Sequence, residues 1–343
     1  MSLVSMLRMG ASFATGRATL KSTPQATLPF FWYYSAAKME SAIITSQTLL
    51  KLAIASLLTC GLGYWVESTI GWHAIIEQWQ TLPLTTLGLC FGLTLLSHAL
   101  RGTRLLYTYK QLPSEKPWQA LPVLGISFIH NAANFILPMR LGELVLPALS
   151  RMQLAIPIKD SFRALLGIRL FDLHVLISLL ICFQPSLLGI WRLPLLLFAV
   201  AGLILLPWLG KFRLLSGFFP PQLHHYPAIS ITYTLSILIW GIKLFAFYTL
   251  FSAFIPLDLA TAATGILMAD LSSALPINGF ASAGSYEAAF AAGLLLSDSY
   301  HNALLSAIIN LHIFLLFSNI VAAALGWLIL IATPKSLPDK NHA

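Results

Sequence analysis

Two stretches of this sequence place charged and polar side chains where an apolar helix is interrupted. The first reads His130-Asn131-Ala132-Ala133-Asn134-Phe135-Ile136-Leu137-Pro138-Met139-Arg140-Leu141-Gly142-Glu143. The second reads Asp270-Leu271-Ser272-Ser273-Ala274-Leu275-Pro276-Ile277-Asn278-Gly279, then Gly284-Ser285-Tyr286-Glu287. Each runs from an apolar segment through a proline and a glycine-bearing break to a glutamate that opens the next helix, where a carboxylate meets the favourable end of the helix dipole. Pro138, Gly142, Pro276, Gly279 and Gly284 supply the backbone of the breaks. Arg140, Glu143 and Glu287 supply charge, Arg169 and Asp172 add a second pair three residues apart, and Asn134, Asn278, Lys243 and Asp270 add a further rank of polar groups. A guanidinium fork fits phosphate oxygens. The expected chemistry is therefore the holding of an anionic headgroup by Arg140 and Arg169, with Glu143 and Glu287 fixing helix ends or balancing positive charge. The competing use is structural: if helical, residues three apart share a face, and the pairs then fix helix packing as internal ion pairs. Lys243 either snorkels or offers a cation to a phosphate. His174 and His312 are expected to be packing residues.

Other chemistries lack their signatures. The sequence has no HExxH, GxSxG, P-loop or GxGxxG. Ser282 and Ser285 lie near Glu287, but no histidine is placed in sequence to activate them. Cys60, Cys90 and Cys182 sit in apolar runs with no ligand-spaced partner, so they are expected to be small buried hydrophobes, and neither a metal nor a cofactor is expected.

Such residues need elements that hold charge inside an apolar environment. Of 343 residues, 57% are hydrophobic and 9% charged, against about 25% charged in a soluble domain. With mean hydropathy +0.80, this surface calls for a bilayer as solvent. A soluble enzyme and a nucleic-acid binder are excluded, and the net charge of +8 suits cytoplasmic loops and anionic headgroups. Apolar runs long enough to span lie near 43–66, 81–100, 164–183, 193–210, 228–255 and 303–332. The interrupted stretches, 118–156 and 259–297, are of another kind. Irregular backbone at membrane depth survives only against protein or a water-filled cavity, and paired broken segments in two halves point to an inverted-repeat transporter site. Gly88 and Gly92 match GxxxG and are expected to mark close helix packing. Tyr64, Trp65, Trp72 and Trp208 suit interface anchors.

Charge sets orientation. The first 39 residues carry Arg8, Arg17, Lys21 and Lys38 and no acid before Glu40; residues 1–40 are read as a basic tail or upstream extension. The 101–117 loop carries Arg101, Arg104, Lys110 and Lys116, and 157–163 carries Lys159 and Arg163, whereas 67–80 carries Glu67 and Glu77 without Lys or Arg. By the positive-inside rule both termini and both basic loops are cytoplasmic. Stretch 118–156 should then enter and return on one face, and 259–297 on the other. The expected fold is an all-α polytopic membrane protein. It has about six full transmembrane helices plus two re-entrant broken-helix hairpins in an inverted-repeat arrangement, with eight transmembrane helices as the alternative. Its transmembrane domain is expected at 41–333, with a cytoplasmic tail at 334–343.

The run Asn134…Pro138-x-Arg140-x-Gly142-Glu143 resembles the signature of the lysylphosphatidylglycerol synthase transmembrane-region family, a flippase-like family. Arg101-x-x-Arg104 after the second span, Arg169-Leu170-Phe171-Asp172, and Pro276 through Gly284-x-x-Glu287 are similar to further family motifs. The resemblance covers about 43–332. The sequence departs from the pattern at Ile168, where an acid is usual, at Pro147 and at Asn310 and His312, where arginines are usual, and in a glycine-poor second motif. The resemblance implies lipid handling in a stand-alone member without a soluble aminoacyl-transferase domain. The expected function is movement of a phospholipid or polyprenyl-linked lipid across the bacterial cytoplasmic (inner) membrane, transporter-like rather than enzymatic. Expected partners are anionic phospholipid or polyprenyl phosphate, with a homodimer or a separate soluble transferase left open. The alternative is a membrane-embedded lipid-modifying enzyme, or an accessory subunit of a glycosyltransferase or aminoacyl-lipid synthase.

Overall fold

Prolines, caps and breaks divide the chain into helices of two lengths. The computed structural model describes residues 46–112, 120–184, 189–191, 193–197, 200, 226–273, 279–295 and 302–333. In chain order these form α1 (Ser46–Thr69), α2 (Trp72–Gln80), α3 (Leu84–Tyr109), α4 (Ala120–Ile136), a 3₁₀ turn (Pro138–Leu144), α5 (Val145–Leu154), α6 (Ile158–Phe183), a short 3₁₀ turn (Gly189–Trp191), α7 (Tyr226–Phe254), α8 (Leu259–Ser272), a further 3₁₀ turn (Phe280–Ser282), α9 (Ser285–Leu295) and α10 (Asn302–Ala332). No strand occurs among the described residues, and the chain is an all-α polytopic membrane protein. Among the described residues four segments are long and apolar enough to cross a bilayer: Leu84–Tyr109, Ile158–Phe183, Ser230–Phe254 and Leu304–Ala332. The run expected at 43–66 is the 24-residue α1. Most of the 193–210 run, the 211–225 segment with Trp208 before it, both terminal tails, Pro276 and Asn278 lie outside the described residues.

Local chemistry explains the boundaries. Pro83 and Pro157 stand immediately before α3 and α6, where a missing N–H costs nothing. Leu137, preceding Pro138, is extended (φ −78°, ψ 134°), as a residue before proline prefers, and α4 stops there. Asp258 caps α8: its carboxylate accepts the Thr261 N–H at 3.0 Å, which holds the carboxyl below the usual carboxylate range. Ala155, left-handed at φ 57°, closes α5.

Packing is tightest where side chains are smallest. α4 lies against α10, and a Cβ added at Gly125 would come within 2.9 Å of the Gly326 carbonyl oxygen. Helices in lipid associate by such close contact, since apolar burial gives them little preference for one another over lipid. Phe247, Phe251, Phe290 and Phe314 fill the space among α7, α9 and α10. Gly88 and Gly92 do not take part: among the described residues a Cβ at either would meet nothing within 4 Å, so the expected close packing is not formed there. Cys90 is buried, but Cys60 and Cys182 are exposed on the outside of apolar helices, so only one cysteine is a core residue. Tyr64, Trp65 and Trp72 are exposed, as interface anchors require.

Candidate functional site

The first break turns on two consecutive non-glycine residues in the left-handed region, Met139 (φ 52°) and Arg140 (φ 61°). Such residues are strained by about 1–3 kcal/mol each, and surrounding structure must hold them. Gly142 provides part of that hold. Its Cα lies so close to the backbone of Ala133 and Asn134 that no side chain fits, and its carbonyl accepts a hydrogen bond from His130 Nδ1 at 3.2 Å. Glu143 Oε1 then meets Arg169 Nη2 of α6 at 2.9 Å. The Asn134 amide ties the two together, its oxygen accepting from Arg169 Nη2 at 2.6 Å and its nitrogen facing Glu143 Oε1 at 3.3 Å.

The second break repeats the device. Ala281 (φ 52°) and Ser282 (φ 62°) are again consecutive left-handed residues, and Gly284 (φ 84°) follows. The Phe280 N–H donates to Thr59 Oγ1 of α1 at 2.9 Å. Glu287, in the first turn of α9, reaches back to accept the Gly284 N–H at 2.9 Å, as the glutamate of a capping box does. Its other oxygen pairs with His312 Nδ1 of α10, and His312 Nε2 donates to the Ala281 carbonyl at 2.6 Å. Tyr286 stacks on the His312 ring with centroids 4.6 Å apart, and Phe135 of α4 meets it edge-on at 5.6 Å. The 3₁₀ turns of the two breaks, Pro138–Leu144 and Phe280–Ser282, touch each other.

Beside them lies a cavity of about 100 Å³. Its charged walls are Arg101 of α3, Arg169 of α6, Lys243 of α7 and Asp270 of α8. Asn131, Asn134, Ser273, Ser282 and Asn319 add hydrogen-bonding groups. Arg169, Lys243 and Asn319 sit near the middle of their helices. Three carboxylates serve the local cations. Asp172 takes Arg104 in a two-pronged pair (2.5 and 3.0 Å), Glu143 takes Arg169, and Asp270 takes Lys243 at 2.5 Å. Trp240 Nε1 and Ser236 complete the Arg104–Asp172 group at 2.9 and 2.6 Å. Arg101 is left over. Among the described residues it has no carboxylate partner; its guanidinium carbon lies 4.9 Å from the Trp240 ring centre, a cation–π contact.

Of the residues singled out in the sequence, Arg169, Asn134, Lys243 and Asp270 line this cavity. Glu143 and Asp172 stand one ion pair behind it. Glu287 is buried in the second break, and Arg140 is exposed and outside the lining. The pairings expected within Arg140/Glu143 and Arg169/Asp172 do not form. Left-handed backbone takes Arg140 off any helical face, and each carboxylate is claimed by an arginine from another helix. Lys243 does not snorkel; it turns inward to Asp270. His174 bonds Tyr233 at 3.1 Å. His312 is more than a packing residue, since it joins α10 to the second break. It does not activate serine: both ring nitrogens are engaged elsewhere, and Ser285 Oγ donates to the Ser282 carbonyl at 3.0 Å.

Sequence reasoning missed the α3 face. Arg101 and Arg104 were counted as loop charges, but α3 continues to Tyr109 and both point into the protein. Thr94, Ser97, His98 and Arg101 all line the cavity. Their i, i+3, i+4, i+7 spacing, a polar stripe in an otherwise apolar span, is the signal that would have found them.

A comparison with curated proteins finds no match. The family model of the lysylphosphatidylglycerol synthase TM region matches residues 48–326, and on that extent the chain belongs to the lysylphosphatidylglycerol synthase transmembrane-region family.

Proposed function

We propose that this chain moves an anionic lipid, a phospholipid or a polyprenyl phosphate, between the leaflets of the cytoplasmic membrane, with the headgroup phosphate passing through the cavity beside the two breaks. One observation carries the reading: among the described residues Arg101 faces that cavity without a carboxylate in ion-pair contact, while each neighbouring cation has one. A charge at membrane depth costs several kcal/mol and ordinarily finds a partner. A phosphate supplies one that can enter and leave. The cavity, about 100 Å³ open to water-sized groups, has room for a phosphate, while the acyl chains stay in lipid. Arg169 and Lys243 add positive field; Glu143 and Asp172 orient the arginines they pair. Arg140, exposed at the first break, meets headgroups outside the cavity. The matched left-handed breaks support an inverted-repeat arrangement of two re-entrant hairpins. The enzyme reading is weaker because the serines beside Glu287 have no free base.

The test is transbilayer movement of labelled phosphatidylglycerol, aminoacylated phosphatidylglycerol and polyprenyl phosphate in proteoliposomes. Arg101→Ala should slow the transported lipid at least tenfold, Arg101→Lys less so. Undiminished movement in folded Arg101→Ala protein rejects the assignment of the phosphate to this cavity.

A further inference from the structure

The hydrogen-bond pattern around His312 fixes a proton count. The Ala281 carbonyl can only accept, so His312 Nε2 carries a hydrogen and donates it there at 2.6 Å. Nδ1 faces Glu287 Oε1. A neutral Nδ1 lone pair facing an ionised carboxylate would be repelled by it, so one more proton lies between them. Glu287 is in the first turn of α9 and its Oε2 accepts the Gly284 N–H, so that oxygen carries no hydrogen. That proton is shared between His312 Nδ1 and Glu287 Oε1. It is closed in by Tyr286 of α9 and Phe135 of α4, and both residues are more than nine-tenths buried.

We infer that Glu287 and His312 form a site for one exchangeable proton that latches the second break, and that loss of this proton releases it. Deprotonation sends one proton to water and leaves a neutral imidazole whose Nδ1 lone pair faces an ionised carboxylate. The contact from attraction becomes repulsion, and no nearby cation takes over. Among the described residues no lysine or arginine forms an ion pair with Glu287. Lys243 of α7 is held by Asp270 of α8, Arg169 of α6 by Glu143, and Arg101 of α3 lies on Trp240. Tyr286, the other titratable group against His312, has a buried hydroxyl without a hydrogen-bond partner. What the latch holds is strained backbone: His312 is bonded to the carbonyl of left-handed Ala281, and left-handed Ser282 and Tyr286 both line the cavity. Release of the break thus alters the wall that a headgroup meets. In that respect the inference deepens the transport reading by coupling cavity shape to a proton, and it rests on that reading only for its consequence.

Hydrogen exchange followed by mass spectrometry tests the latch without any lipid substrate. The full chain in detergent or nanodiscs is compared at pH 5.5 and 8.5, with rates corrected for the intrinsic pH dependence of exchange. The peptide covering 279–290 should lose protection at least tenfold at the higher pH, while α4 and the first break stay unchanged. In His312→Gln the difference between the two pH values should vanish, because glutamine can still donate to the Ala281 carbonyl but cannot titrate. Glu287→Gln should also remove it. A wild-type peptide equally protected at both pH values overturns the proposal even if neither variant folds. So does a pH difference that persists in His312→Gln. Loss of protection with pH in a protein that moves none of the three lipids would leave the proton latch standing and reject the transport reading alone.

Discussion

Arginines 101 and 104 are one helical turn apart on α3, yet their situations are opposite. Arg104 is bound by both oxygens of Asp172, and the pair is almost wholly buried; removing one member strands the other. Arg104→Ala or Asp172→Ala should destabilise the protein by about 3–5 kcal/mol, read as a large fall in thermal midpoint in detergent. Arg101→Ala strands nothing, so its midpoint should stay close to wild type while lipid movement falls. If both arginines proved equally important for stability, Arg101 would be a structural residue and not a headgroup contact. Arg140→Ala with Glu143→Gln separates the same two roles at the first break. Glu143→Gln frees Arg169 from its partner and should change headgroup selection, whereas Arg140→Ala should act only on lipid arrival, read as a slower rate at low lipid density. At this scale the sequence was readable in residue type but not in pairing. Charges at an interrupted apolar stretch announce a site. Which carboxylate meets which arginine depends on helices far apart in the chain: Asp172 is 68 residues from Arg104.

The breaks are built by backbone conformation, and glycines test that directly. Gly142→Ala forces a methyl group into the backbone of Ala133 and Asn134, which cannot retreat without unwinding α4. A loss of about 1–3 kcal/mol is expected for such overpacking, with a drop in lipid movement, since Arg169 and Asn134 are positioned from this turn. Gly88→Ala is the matched control. Among the described residues space is open around it, and alanine is the better helix former by about 1 kcal/mol, so stability should hold or rise. Both substitutions can be read by thermal unfolding of the purified protein. The element boundaries were legible because proline and capping residues act locally. The left-handed pairs Met139–Arg140 and Ala281–Ser282 were not legible, because none of these four residue types prefers that region; tertiary contacts from His130, His312, Thr59 and α4 impose it. The polar face of α3 was legible in principle, and was obscured by assigning Arg101 and Arg104 to a loop.

Across the whole molecule, the removal of those two arginines from the loop weakens the charge argument for orientation and shifts the weight to geometry. α4 has 17 residues and α5 has 10. At 1.5 Å per residue they reach about 26 and 15 Å, short of a hydrocarbon core of about 30 Å. They also contact each other across the left-handed turn. α8 and α9, with 14 and 11 residues, do the same. A pair that re-enters, as proposed above, returns its ends to the face it left. Gln111, just past α3, and Lys159, at the start of α6, should therefore lie on one side of the membrane, while Leu257 and Leu295 share the other. Single cysteines at these four positions, in a background with Cys60, Cys90 and Cys182 replaced by serine, can be labelled with a membrane-impermeant maleimide in sealed vesicles of known orientation. Reaction of the first two from the cytoplasmic side only, and of the second two from the opposite side only, fits six spans with two re-entrant hairpins. If Gln111→Cys and Lys159→Cys react from opposite sides, the first hairpin crosses, the eight-span arrangement holds, and the two breaks cannot be mirror devices opening a shared cavity from opposite faces.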